Sequence, residues 1–299
     1  MTEAAQESEA FDRLHPIIQH HIVNSVGWPG LRHLQSASIA PVLRCDDALL
    51  IAPTAGGKTE AAMFPLLTRM SSEQWVGLSV LYVCPLKALI NNLEPRLVTY
   101  AGWLGREASA RHGDTGSGVR KRQAGSRPSI MLTTPESLEA MLVSVNLDAA
   151  HMFGDLRAVV VDEVHAFAGD DRGWHLLAVL DRLSAIAGRP LQRIGLSATV
   201  GNPNALLAWL QGRTRSNQRS VITALSSDAV EPVLALDFVG SVRNAAKVVN
   251  GIHQGEKRLV FADSRRTVEA LALELRELGT DTYVSHSSLS VDERRRAEA

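Results

Sequence analysis

The chain has 299 residues, enough for two domains at about 100–200 residues each. Hydrophobic residues make up 45% and charged residues 21%, which excludes wholesale disorder. A net charge of -1 excludes a strongly basic, histone-like binder. The longest apolar stretches, such as residues 78–84, are far shorter than the roughly 20 residues of a membrane-spanning helix, and the acidic start MTEAAQESEAF is unlike a signal peptide. Two cysteines cannot build a disulfide framework or close a zinc site alone, so we expect a protein of the reducing cytoplasm. Because the apolar stretches are short, we expect no membrane partner.

Short apolar runs alternate with longer amphipathic segments, which predicts an α/β fold with a parallel sheet flanked by helices. The Val, Ile and Leu content of the runs is typical of strands covered on both faces. Two helices are predicted with clear ends, one at residues 174–187 and one that Ser264 caps and Gly279 stops. The predicted strands are residues 48–52, 78–83, 129–133, 157–161, 193–196, 258–262 and 282–285.

A polar stretch, QGRTRSNQ at residues 211–218, predicts a domain boundary. Residues 1–212 would then hold an N-terminal helical segment and a first domain. Residues 213–299 would hold a linker and a second domain with two predicted strands and one helix, which is short for an α/β domain.

The string APTAGGKTE at residues 52–60 follows a predicted strand and precedes a helical pattern, the context of a phosphate-binding loop. Small residues let successive backbone N–H groups turn toward phosphate oxygens, and the helix dipole faces the anion. In such a loop Lys58 reaches the β- and γ-phosphates and the Thr59 hydroxyl binds Mg²⁺. The alternative is a glycine-rich turn with an exposed lysine. The loop residues are Thr54, Ala55, Gly56, Gly57, Lys58 and Thr59.

The string VVVDEVH at residues 159–165 places two carboxylates at the end of an apolar strand. Burying such charges costs free energy unless a cation or hydrogen-bond donors interact with them. In phosphoryl transfer, an acid such as Asp162 holds Mg²⁺ and a second, such as Glu163, positions and deprotonates the attacking water. The alternative is a solvated strand end. Both segments end predicted strands, and open α/β sheets bind ligands at that edge.

These two segments and six others resemble the ordered motifs of superfamily 2 helicases of the DExH kind, and most of all the Lhr-like (large helicase-related) helicases. The resemblance implies RecA-like domains of the P-loop NTPase fold, with ATP and Mg²⁺ as cofactors. It also implies an ATP-dependent helicase that translocates on single strands and opens DNA or RNA–DNA duplexes. The six are PLKAL at 85–89, HGDT at 112–115, TTPESL at 133–138, LSATVGN at 196–202, LVFADSRR at 259–266 and SHSSLSVDERRR at 285–296.

The resemblance also implies roles for single residues. Gln35 stands where such helicases place a glutamine that reads adenine, and a side-chain amide can pair with that base; the alternative is a polar residue on an exposed helix. The residues that couple the γ-phosphate to strand movement are His165, Ser197, Ala198 and Thr199. Nucleic-acid contacts, made to phosphates without reading bases, fall on Pro85, Lys87, Gly113, Asp114, Thr134, Pro135, Ser264 and Arg265. The basic stretch at residues 106–127 either holds an anionic strand or is a solvated loop.

Downstream of Arg266 the sequence lacks the family pattern Q-x-x-G-R-x-G-R, which supplies arginine fingers. We therefore expect an incomplete second RecA-like domain, with a separate chain as a candidate partner for the missing half. One predicted function is a helicase ATPase module acting on single-stranded nucleic acid, DNA rather than RNA. The alternative is a catalytically incomplete nucleotide- and nucleic-acid-binding fragment or subunit.

Overall fold

A computed structural model describes residues 3–198, 200–213, 218–224 and 233–286, together with residues 289 and 297. The chain forms two compact units, Met1–Ser227 and Asp228–Ala299. Every helix in the described residues is too short or too polar to span a bilayer.

Within the described part of the first unit, all strand pairings are parallel and form one sheet of order β3-β4-β2-β5-β6-β1-β7. The strands predicted between residues 48 and 196 are confirmed, with small shifts at their ends. The sequence did not predict β3 and β7. Both are edge strands with partly exposed side chains, so they lack an apolar run. The strands are β1 (Asp47–Ile51), β2 (Val80–Val83), β3 (Ala108–Arg111), β4 (Ile130–Thr133), β5 (Ala158–Val161), β6 (Gln192–Ser197) and β7 (Arg219–Thr223).

The boundary predicted after residue 212 is too early for the first unit, because β7 pairs with β1 in the same sheet. The polar stretch that suggested the boundary connects α10 (Pro203–Gln211) to this edge strand. Polar composition marks a loop, but the pairing of the strand after it decides which sheet that strand joins.

Helices cover both faces of the sheet, which explains the non-alternating apolar strands. In β1, Leu50 packs in the core under α2 to α5, whereas Leu49 packs in the core under α7 to α10. The helix predicted at residues 174–187 is confirmed as α9. It begins earlier than predicted, where Asp170 accepts a hydrogen bond from the Gly173 N–H. The other helices are α1 (Glu3–Asp12), α2 (Pro16–Asn24), α3 (His33–Leu43), α4 (Lys58–Ser72), α5 (Lys87–Gly102), α6 (Ser117–Gly125), α7 (Pro135–Leu142), α8 (Ala149–Phe153) and α9 (Asp171–Ala187), with a 3₁₀ turn at Val164–Ala166.

The described part of the second unit contains α11 (Val242–Gly251) and α12 (Arg265–Glu277), which pack through Ala246, Leu271 and Leu275. The predicted cap is confirmed, since the Ser264 hydroxyl accepts a hydrogen bond of 3.1 Å from the Thr267 N–H.

The strands predicted at residues 258–262 and 282–285 are wrong for this structure, where both segments lie outside regular secondary structure. A strand exists only when its backbone groups pair with a neighbour, and the described residues of this unit supply none. Leu259, Phe261 and Tyr283 are accordingly 82%, 85% and 71% exposed. A partial second RecA-like domain therefore stays a prediction.

Candidate nucleotide-binding site and nucleic-acid interface

The loop between β1 and α4 turns tightly at the carboxyl edge of the sheet. Ala55 has a φ of 63° and Gly57 a φ of 77°, so the backbone passes twice through the left-handed region. A β-carbon on Gly56 would lie 2.7 Å from the Ala52 β-carbon and 2.9 Å from the Pro53 carbonyl oxygen. Such a turn directs successive N–H groups to one side and forms an anion cradle at the start of α4.

Lys58, the first residue of α4, lies against this loop and is only 8% exposed. Its Nζ donates to the carbonyl oxygens of Ala52, at 2.7 Å, and Pro53, at 3.1 Å. The alternative of a turn with an exposed lysine is therefore wrong. The ammonium charge lies at the loop, where it can meet the charge of a phosphate.

Gln35 on α3 packs against the same loop and is 1% exposed, so the alternative of an exposed polar residue is wrong. Its Oε1 accepts from the Arg32 N–H at 2.9 Å, and its Nε2 lies 3.5 Å from the Gly57 carbonyl oxygen. The Arg32 guanidinium donates to the Ala55 carbonyl oxygen. Arg32 belongs to none of the motifs, so the sequence alone gives no signal for its place at the loop.

Tyr82 brings together the two residues predicted to bind Mg²⁺. Its hydroxyl donates to Asp162 Oδ2 at 3.2 Å and lies 3.5 Å from Thr59 Oγ1. Burial raises the pKa of Asp162, and the neighbouring Glu163 carboxylate adds to the rise. Tyr82 was not predicted as a site residue, because it lies within an apolar strand run and its hydroxyl is the only signal there.

The second carboxylate lies in a strained turn directly after β5. Glu163 has φ 45° and ψ 47°, an uncommon conformation for a residue with a side chain, and its N–H donates to Asp162 Oδ1 at 2.9 Å. His165 Nδ1 lies 2.9 Å from Ser197 Oγ and 3.5 Å from Glu163 Oε2. Three predicted site residues thus meet; Ala198 follows Ser197, and Thr199 lies outside the described residues.

A cavity of about 450 Å³ collects four residues of the predicted nucleic-acid interface: Pro85, Lys87, Gly113 and Thr134. Lys87 Nζ forms an ion pair of 2.8 Å with Asp114 Oδ1 beside it, so a fifth predicted residue sets the position of the lysine. We call this feature the nucleic-acid cavity, after the contacts that the sequence predicts for the residues lining it.

The other predicted contacts have different surroundings. Pro135 is buried as the first residue of α7, the helix that Thr134 of the cavity caps by accepting from the Ser137 N–H. Ser264 and Arg265 lie in the second unit, as the cap and first residue of α12.

The basic stretch predicted at residues 106–127 includes α6, whose Lys121 and Arg122 are exposed. Arg120 Nη2 donates to the Gly113 carbonyl oxygen at 2.7 Å, so this helix is tied to a loop of the nucleic-acid cavity.

Comparisons with known proteins find similar chains among helicases. A family model described as DEAD/DEAH box helicase matches residues 32–206. The chain is 35% identical over 254 residues to the Lhr helicase/probable uracil glycosylase of Mycolicibacterium smegmatis, covering 78% of this chain and 17% of that protein. It is 30% identical over 296 residues to the Lhr helicase/uracil glycosylase of Escherichia coli, covering 83% and 19%.

Among solved structures, the Mycobacterium smegmatis helicase Lhr bound to ssDNA and AMP-PNP matches with a TM-score of 0.81 and 28% identity. The match covers 97% of this chain and 40% of that one. These relatives confirm the resemblance drawn from the motifs. The chain spans less than a fifth of the length of the two curated relatives.

Proposed function

Because this chain belongs to the DEAD/DEAH box helicase family, we propose that it forms the ATP-binding, nucleic-acid-dependent ATPase module of a DExH-box helicase. The intact helicase would translocate on single strands and unwind DNA or RNA–DNA duplexes. One observation carries the proposal: the contacts through Tyr82 join the phosphate loop to the carboxylate turn at a single edge of the sheet.

The residues present fit ATP and Mg²⁺. A β-carbon at Gly56 would press on the loop, so the cradle has the small residue that close phosphate approach requires. In the described residues, no group of three or more His, Cys, Asp or Glu side chains converges on a metal position. Mg²⁺ suits such a donor set, because it is often held by one or two carboxylates while phosphates and waters supply the remaining oxygens.

The loop and the side chains around it then have separate roles in ATP hydrolysis. The loop N–H groups and Lys58 hold the β- and γ-phosphates, and the Thr59 hydroxyl and Asp162 carboxylate would hold Mg²⁺. When bound, Mg²⁺ neutralises charge that develops on the γ-phosphoryl group. Glu163 orients the attacking water and accepts its proton. The hydrogen bond between His165 and Ser197 ties this carboxylate turn to the end of β6.

We propose that single-stranded DNA rather than RNA is the partner of the nucleic-acid cavity, with its phosphates near Lys87 and the cap of α7. The structure described for the Mycobacterium smegmatis relative is bound to ssDNA and AMP-PNP, which supports this choice. The contacts reach the backbone of the strand, so we expect little sequence preference.

ATP hydrolysis by the full chain, with and without single-stranded DNA, tests the proposal. Lys58→Ala should reduce turnover to background, and Lys257→Ala, at an exposed lysine of the second unit, should leave it unchanged. Unaltered hydrolysis in Lys58→Ala would contradict the site. ATP binding without turnover in the unmodified chain would favour the alternative, a nucleotide- and nucleic-acid-binding fragment that needs a second half from another chain.

A further inference from the structure

Arg172, the second residue of α9, contacts three separate parts of the first unit. Its Nη2 donates to the Pro85 carbonyl oxygen at 2.6 Å, and its Nε donates to Glu136 Oε1 at 2.6 Å. Its guanidinium carbon lies 5.2 Å from the centre of the Phe167 ring. One planar group thus joins the loop after β2, the first turn of α7 and the residue that ends the 3₁₀ turn.

The start of α9 packs tightly against that turn. A β-carbon on Gly173 would lie 1.8 Å from the Phe167 carbonyl oxygen, so the two backbones are in direct contact. The 3₁₀ turn carries His165, which contacts Glu163 and Ser197. Packed elements transmit small shifts because they cannot deform continuously. A shift of the turn must therefore move Arg172.

Arg172 also neutralises a negative charge in the nucleic-acid cavity, since its partner Glu136 lines this cavity as well. Burial raises the pKa of Glu136, but the hydrogen bond from Arg172 and other donors outweigh it and leave the pKa lowered. The carboxylate is therefore ionised at neutral pH and paired with a guanidinium. Without Arg172, an unpaired negative charge would face the phosphates of a bound strand.

We propose that Arg172 is a positioning residue that couples the nucleotide site to the nucleic-acid cavity. A displacement of the carboxylate turn on nucleotide binding moves the guanidinium. This movement shifts the Pro85 loop and changes the ion pair with Glu136, so that single-strand affinity changes. By linkage, the strand changes nucleotide affinity by the same factor. This inference rests on the proposed function of the two sites.

The coupling factor is the ratio of the dissociation constants of a labelled oligo(dT), measured by fluorescence anisotropy without and with AMP-PNP and Mg²⁺. The unmodified chain should show a change of at least about 5-fold, the lower end of typical allosteric coupling. Arg172→Gln should bring the factor to within about 2-fold of unity. Arg172→Lys keeps the charge near Glu136 but lacks the planar fork, so it should give an intermediate factor.

Arg182 provides a matched control on the same two helices. It lies on α9 and makes two hydrogen bonds, of 2.8 and 2.7 Å, to Glu139 of α7, but it does not line the cavity. Arg182→Gln should therefore lose an ion pair between α9 and α7 and keep the coupling factor. Tryptophan fluorescence during thermal unfolding establishes that each variant is folded. If Arg172→Gln does not fold, the coupling factor of Arg172→Lys tests the proposal instead.

A folded Arg172 variant with the full coupling factor would overturn the inference, as would an Arg182→Gln variant that loses the factor equally. If the unmodified chain binds both ligands without coupling, the inference fails and the proposed function stands. If it binds neither ligand, the proposed function itself fails.

Discussion

Gly173 has no room for a β-carbon, so Gly173→Ala is expected to destabilise the first unit. At an unconstrained helix position, replacing Gly by Ala stabilises by about 1 kcal/mol. Here the new atom would lie 1.8 Å from the Phe167 carbonyl oxygen and 2.9 Å from Trp209 Cζ2. A backbone carbonyl cannot rotate away as a flexible side chain can, so the overpacking cost should approach about 3 kcal/mol. Against the helix gain, this leaves a net loss of about 2 kcal/mol.

Urea unfolding followed by tryptophan fluorescence measures this loss. All five tryptophans lie in the first unit, so the signal reports on that unit alone. The control is Gly118→Ala in α6, where no described atom lies within 4 Å of the added β-carbon, and it should be neutral or stabilising. A Gly173→Ala midpoint equal to that of the unmodified chain would refute the close contact between α9 and the 3₁₀ turn.

Two further predictions concern buried groups near the carboxylate turn. Tyr82→Phe removes the hydroxyl between Thr59 and Asp162, so the free energy of unfolding should fall by about 1–2 kcal/mol in the same urea assay; an unchanged value would show that this hydroxyl stabilises nothing. Burial and the Asp162 charge raise the pKa of Cys84, so iodoacetamide at about pH 8 should alkylate partly exposed Cys45 but reach Cys84 only after unfolding in urea. Alkylation of Cys84 in the folded chain, detected by peptide mass spectrometry, would contradict this prediction.

Local features of the sequence indicated most of the residues that the structure brings together at the candidate site. Small residues before Lys58 and a carboxylate pair after an apolar strand are chemical requirements that adjacent residues express. Five strands followed from apolar runs, because a strand buried on both faces needs apolar side chains at most positions. The edge strand β7 (Arg219–Thr223) carries no such run and was missed.

Other features depended on the tertiary structure. Gln35 against Gly57, Tyr82 between Thr59 and Asp162, and Arg172 on Pro85 are contacts between residues far apart in the chain. The Tyr82 and Arg172 contacts exist because the strand order places β2 beside β5, and Gln35 meets Gly57 because α3 packs against α4. Side-chain periodicity reports which faces of a strand are buried but not which strand lies next to it. For the same reason the sequence predicted two strands in the second unit that the structure does not contain. The apolar runs there have no paired neighbour among the described residues.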